Sequence, residues 1–344
     1  MAGTVRWGIL GTGKIARVVA AAIAESGGGT LVSVGSRGAE RAASFAAEFD
    51  VPRIHDGYEG LILDEEVDLV YVATHHPLHP EWAVRAADAG KHVLCEKPLA
   101  VTHADAVRIV EAAHRNGVFL LEAFAYRSHL QTLRLAELLR SGAIGEIRLI
   151  DAVFGYDAGS NPGNYLLSSE LAGGAMLDVG CYTTSMSHLV AAIANERAVT
   201  ESIDVAGVAR IGSTGVDLTA AATITFEGGL LARVACSIQA DLNSSVSIYG
   251  SEGRIAVPSP WLPGRIGTEA RIFLERKGSG VESIDIPMGA DVYTTEVDAV
   301  NGSVRNGELN PSVMTWDESL ANMQTLDRWR AASGLRHGVH EAQR

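Results

Sequence analysis

From residue 5 to residue 122 the chain alternates short β-branched apolar runs with longer Ala-rich segments whose apolar positions recur at helical spacing. This is the rhythm of βαβ units wound around a parallel sheet. The runs are 5–10, 30–35, 67–74, 92–95 and 118–122, and the segments 15–26, 39–49, 80–89 and 102–116 between them predict helices closed by Gly, Pro or polar residues. After about residue 125 the rhythm changes, and strand-like runs follow one another at 146–154, 216–226, 230–238 and 246–249. Short turns such as Glu227-Gly228-Gly229 join them, so a large, mainly antiparallel sheet is expected. Two late helices, 291–306 and 315–332, are expected to pack on that sheet or to return toward the first half. The predicted class is α/β: a doubly wound parallel sheet over 1–123, then an α+β domain over 124–344.

Composition narrows the partners. With 344 residues, 47% of them hydrophobic, the chain can bury two moderate cores. A formal net charge of -13 and a pI near 5.3 repel phosphate backbones and acidic membrane surfaces, so neither nucleic acid nor membrane is expected. The three cysteines, Cys95, Cys181 and Cys236, are widely separated, which suggests neither a disulfide framework nor a structural zinc site. A strand-like run begins almost at Met1 with no basic or apolar leader pattern, and a cytoplasmic location is expected.

Between the first strand and the first helix stands Gly11-Thr12-Gly13-Lys14-Ile15-Ala16. Gly11 would permit a tight turn, Gly13 would leave room for a pyrophosphate, and Ala16 would let helix and strand approach. The helix N-terminus beyond offers amide donors to phosphate, which makes this a candidate dinucleotide loop of Rossmann type; the alternative is a plain turn. The second strand ends in Gly35-Ser36-Arg37 where an NAD site usually has a carboxylate, and Glu40 is the nearest acid. Ser36 and Arg37 suit a 2'-phosphate, so NADP(H) is preferred and NAD(H) is retained as the alternative, with Arg37 as a solvated surface residue.

Residues 94–100, LCEKPLA, place Glu96 and Lys97 where a buried strand should emerge at the ligand edge of an open sheet. An ammonium there can hydrogen-bond the oxygen of an alcohol or carbonyl while hydride moves to or from a nicotinamide. An exposed ion pair of Lys97 with Glu96 is the bland alternative. GTGKIA at 11–16, CEKPLA at 95–100 and GGAMLDVGCY at 173–182, in that order, resemble the Gfo/Idh/MocA oxidoreductases, whose members act mostly on sugars, sugar derivatives and cyclic polyols. The resemblance implies that Lys97 is the catalytic lysine, aimed by a Pro98 turn that is often cis in the family. Tyr182, where many members have histidine, resembles the branch of dihydrodiol dehydrogenases, aldose 1-dehydrogenases and glucose-fructose oxidoreductase. If a helix begins near Asp178, then Asp178 and Tyr182 share one face four residues apart. A phenol is a poor base near its free pKa of about 10, so Tyr182 as acid/base needs a nearby ammonium such as Lys97, with Asp178 orienting substrate. A ring packed in a helix–sheet seam and a simple helix cap are the alternatives.

Other residues follow from the same resemblance. Thr74, His76 and His79 lie in a loop expected over the cofactor, with His75 and His76 departing from the usual Pro-Asn; three imidazoles within THHPLH lack the carboxylate or fourth ligand of a metal site, and none is expected. Phe124, Tyr126 and Arg127 are placed at the cleft floor, Arg127 equally as a structural salt-bridge partner. Tyr156, Tyr165 and Trp261 are offered as aromatic faces for a sugar, or as packing. The implied activity is hydride transfer between NADP(H) and a sugar or cyclic polyol, as an aldose 1-dehydrogenase or keto-sugar reductase. Alternatives are a trans-dihydrodiol dehydrogenase, an NAD-retaining glycosidase and a non-catalytic dinucleotide-sensing regulator. A homodimer or homotetramer through the C-terminal sheet is expected.

Overall fold

The computed structural model describes residues 3–161, 163–265, 269–287 and 289–335. The chain forms two compact units: residues 1–100, 104–128 and 290–316 make the first, and 101–103, 129–289 and 317–344 the second. This partition differs from a single cut after residue 123, because the chain returns to the first unit late.

In the first unit six parallel strands stand in the order β3-β2-β1-β4-β5-β6. They are β1 (Val5–Leu10), β2 (Gly29–Ser36), β3 (Arg53–Asp56), β4 (Leu69–Val72), β5 (His92–Glu96) and β6 (Leu120–Ala123). The connecting helices are α1 (Lys14–Glu25), α2 (Ala39–Phe49), the single turn α3 (Glu59–Ile62), α4 (His79–Asp88) and α5 (His103–Asn116). β4, a central strand, is buried at every position, as expected of a strand covered on both faces, and so is β6 at the edge of the sheet. Strand order reverses between β1 and β4, the switch point at which open α/β sheets bind ligands.

The second unit begins with α6 (Leu130–Arg140) and β7 (Ile147–Gly155), then α7 (Cys181–Ala194), β8 (Ser202–Ile211), β9 (Asp217–Phe226), β10 (Leu231–Ser237), β11 (Ser245–Gly250), β12 (Gly253–Val257), β13 (Arg271–Arg276) and β14 (Val281–Asp285). Eight strands stand in the order β14-β13-β12-β11-β7-β10-β9-β8, antiparallel except for β10 beside β7. α7 is buried from Cys181 to Ala192 on all sides, and it packs on β7 and β10. The late helices part company: α8 (Val292–Asn306) belongs to the first unit and most of α9 (Trp316–Ala332) to the second. α8 is tied to β1 by the buried Trp7 indole N–H, which donates to Asn301 Oδ1 at 2.9 Å. No described helix is long and apolar enough to cross a membrane.

Candidate active site

One group of candidate residues is built at the carboxyl edge of the parallel sheet. β1 ends into Gly11, whose φ is +106° and whose Cβ, were it present, would lie 2.5 Å from the Ala73 carbonyl oxygen. Only glycine fits there. The Gly11 N–H donates to Gly35 O at 2.9 Å, which holds the loop against the end of β2. Gly13 precedes α1 in an extended conformation, is exposed, and a Cβ built on it would meet nothing within 4 Å. Thr12 and Ile15 are half-buried and Lys14 is exposed around it. The unpaired N–H groups of the first helical turn and the space at Gly13 form a cradle for a phosphate. At the end of β2 Ser36 is buried and Arg37 exposed. Burial, then the Arg37 charge, lowers the pKa of His75, so the ends of β2 and β4 share one electrostatic environment. Thr74 Oγ1 is buried with no hydrogen-bond partner among the described residues, a group that a ligand can satisfy. These features fit a dinucleotide.

β5 then delivers the lysine. Glu96 closes the strand, Lys97 is half-buried, and the Lys97-Pro98 bond is cis, as the resemblance implied. The turn is held on both sides. His79, with no exposed surface, sets Nδ1 at 2.9 Å from Pro98 O and Nε2 at 3.1 Å from Thr74 O, bridging the ends of β4 and β5. The Leu99 N–H donates to Glu122 Oε1 at 2.7 Å. Burial pushes the His79 pKa down to about 4, with a smaller push from Lys97. His76 is buried beside it, ring centroids 5.7 Å apart. An acidic pair adjoins the end of β5: the Tyr71 hydroxyl donates to Glu96, and burial together with Glu96 raises the Glu296 carboxyl of α8 well above the ordinary range. Phe124, Tyr126 and Arg127 follow β6, and all three are buried. Tyr126 has no exposed surface, and Arg127 Nε donates to Val313 O at 3.0 Å.

A second group of candidate residues lies in the other unit. Met176–Gly180 forms a turn of π-helix that runs directly into α7, and Asp178 and Tyr182 lie on this segment, 5% and 8% exposed. A π-turn advances more residues per turn than an α-helix, so the four-residue spacing does not set the two side chains on one α-helical face. Such turns recur at functional sites. Tyr156, just past β7, donates its hydroxyl to Asp178 Oδ2 at 2.6 Å and is half-buried. Tyr182 packs edge-on against Phe154 and Trp261, with centroids 5.3 and 5.9 Å away. Trp261 is only 2% exposed, stacks on Phe154 and donates to Val153 O at 3.0 Å; it supports Tyr182 rather than offering a face to a sugar. Tyr165 is half-buried at the start of a short 3-10 turn, Tyr165–Leu167.

Three contributors escape sequence reasoning. Tyr71 hides in an apolar strand and gives no signal. Glu296 sits among Val292, Tyr293, Val297, Val300 and Val304 on the buried stripe of α8, and an acid at such a position was a legible anomaly. Asp217 is buried at the start of β9, between Val216 and Leu218 and close after the turn residues 212–215, where an acid reads as part of the turn. No group of three metal-ligating side chains exists among the described residues.

A model of the oxidoreductase family with an NAD-binding Rossmann fold, Gfo/Idh/MocA, matches residues 5–124, and one of the GFO/IDH/MocA C-terminal domain matches 132–256. The chain is 34% identical to trans-1,2-dihydrobenzene-1,2-diol dehydrogenase of Mus musculus over 79% of each chain. It is 30% identical to D-xylose 1-dehydrogenase (NADP(+)) 2 of Haloferax volcanii over 93% of this chain and 95% of that one. Among solved structures, the 3-ketoreductase KijD10 of Actinomadura kijaniata, in complex with NADP and TDP-benzene, superimposes with a TM-score of 0.86 at 27% identity, covering 96% of this chain and 98% of that one. Fold, motifs and relatives agree across both units: the chain belongs to the Gfo/Idh/MocA family of oxidoreductases.

Proposed function

We propose that the protein is an NADP(H)-dependent oxidoreductase that moves hydride between the nicotinamide and a carbinol or carbonyl carbon of a sugar or cyclic polyol. The observation that carries this reading is Lys97, half-buried at the carboxyl end of β5 on a turn fixed through His79 and Glu122. Bound NADP(H) supplies the hydride donor or acceptor. The protein's residues do the rest. Lys97 hydrogen-bonds the reacting oxygen, and Tyr182 takes or gives the hydroxyl proton. Asp178, oriented by Tyr156, holds a neighbouring substrate hydroxyl, and Tyr165 lines the same side.

The preference for NADP(H) rests on Ser36 and Arg37 at the end of β2, placed for a 2'-phosphate; the glycine loop, Thr74 and His76 serve the rest of the dinucleotide. It is supported by the NADP-dependent xylose dehydrogenase and by the NADP complexes of the 3-ketoreductase. Variants of the latter altered at one lysine or one tyrosine have also been solved, the residue types assigned here to the chemistry. The enzyme assembles as a homo-oligomer through the sheet face that carries Val208 and Leu231, 70% and 40% exposed. It works in the cytoplasm, in keeping with its three cysteines outside any disulfide.

The test is reduction of NADP+ and NAD+, followed by absorbance, across aldoses, cyclic polyols and trans-dihydrodiols, with keto-sugars for the reverse direction. NADP+ reduction by at least one class is expected. Tight cofactor binding without turnover would contradict the proposal and favour a dinucleotide-sensing regulator.

A further inference from the structure

A helical segment begins with backbone N–H groups that have no partner within the helix. Where the segment carrying Asp178 and Tyr182 starts, the Met176 N–H donates to Asp217 Oδ2 at 2.6 Å. Asp217 has no exposed surface and opens β9, the strand between β10 and β8. Its other oxygen, Oδ1, has no hydrogen-bond partner among the described residues and faces Gly174. There φ is +110°, and a Cβ would lie 2.1 Å from Oδ1. At Gly173 a Cβ would lie 2.4 Å from the Leu166 carbonyl oxygen. The two glycines let the chain pass between the carboxylate and the 165–167 turn, which gives a physical reason for the Gly-Gly at the head of the motif.

An aspartate with no solvent contact is costly, and burial raises its pKa to about 7 against the pull of the Met176, Ala175 and Asp217 N–H groups and of Arg330 on α9. The other ionisable neighbour is Cys236 on β10, whose thiol is pushed up by burial, by Asp217 and by Asp178. The carboxylate thus sits at the positive end of the helical segment, the place where a negative charge is best held.

We infer that Asp217 is a positioning residue for the second group of candidate residues: its carboxylate fixes the first turn of the segment from Met176 onward, and so the placement of Asp178 and Tyr182. This inference rests on the proposed function, in which those two side chains meet the substrate. It goes beyond the resemblance, whose motif ends before β8.

Asp217→Ala removes the acceptor that the Met176 N–H uses, and the charge with it. Hydrogen exchange of the peptide 173–182 should accelerate, and kcat should fall about tenfold, equivalent to about 1.4 kcal/mol, while the NADPH dissociation constant stays within about twofold. Should the variant not fold, the wild type carries the same test: after correction for intrinsic exchange, the Ala175 and Met176 amides should exchange faster as pH falls through about 7. Unchanged exchange in the variant, or in the wild type across that range, would overturn the inference. So would faster exchange with unchanged kcat. Wild-type enzyme inactive on every substrate class would contradict the proposed function instead, and the exchange comparison would still decide whether Asp217 holds the segment.

Discussion

His79 offers a quantitative handle on the lysine turn. Its ring lies between Pro98 O and Thr74 O with no exposed surface. Two carbonyl oxygens facing two ring nitrogens favour the imidazolium, whereas burial and the Lys97 charge oppose it, and the opposition prevails: the pKa falls from 6.5 to about 4. The difference, 6.5 minus 4, is about 2.5 units, which corresponds to about 3 kcal/mol. In the unfolded chain the same imidazole takes a proton first as the pH drops. The stabilisation is therefore fully present above about pH 6.5 and is lost as pH falls toward about 4. Glutamine in place of His79 can still donate to one of the carbonyls but cannot titrate in this range. Urea unfolding of wild type and His79→Gln at about pH 7.5, 5.5 and 4.5 isolates the effect, because the contributions of other carboxylates and histidines cancel in the difference. The wild type should lose about 2.5 kcal/mol more than the variant between about pH 7.5 and 4.5, the remainder being lost only below about pH 4. Parallel stability curves would refute the reasoning and mean that the two carbonyls offset the effect of burial.

Two further outcomes are expected at the dinucleotide end. Arg37→Ala should weaken NADPH by about 1.5–3 kcal/mol, the worth of a charge-assisted hydrogen bond, and leave NADH within about twofold; equal losses for both by fluorescence titration would remove the basis for the cofactor preference. Gly11→Ala forces a side chain into positive φ and a Cβ to 2.5 Å from the Ala73 carbonyl oxygen. It should lower stability by about 1–3 kcal/mol and reduce the rise in Tm produced by NADPH, and a wild-type melting curve with and without cofactor would contradict that.

Much of the molecule is legible in its sequence because burial on both faces writes continuous apolar runs. β1, β4 and β5 stand out for that reason, and the helices between them stand out by their Ala-rich spacing. β3 does not. Its residues Arg53, Ile54, His55 and Asp56 form a polar edge strand that is paired only with β2, and such a strand leaves no hydrophobic signature. β8, β12, β13 and β14 are equally hard to read, since their outer positions carry Arg, Glu and Asp at a solvated face. Asp178 and Tyr182 were legible as a pair, but the π-turn between them was not, because a hydrogen-bond register one residue longer has no compositional mark. The tethers, His79 to Pro98 and Asp217 to Met176, join residues far apart in sequence, and only the folded chain reveals them. The return of α8 to the first unit uses several such partners, among them Asn301, which accepts from the buried Trp7 indole.

The central claim is that the Lys97 ammonium serves the chemical step and not the binding of the dinucleotide. The direct measurement is paired: steady-state turnover of Lys97→Ala on the best substrate, and NADPH binding by the same variant followed by nicotinamide fluorescence. Turnover should fall by more than about a hundredfold with NADPH affinity within about threefold of the wild type; a variant that still turns over, or that loses turnover only because it no longer binds NADPH, would contradict the account.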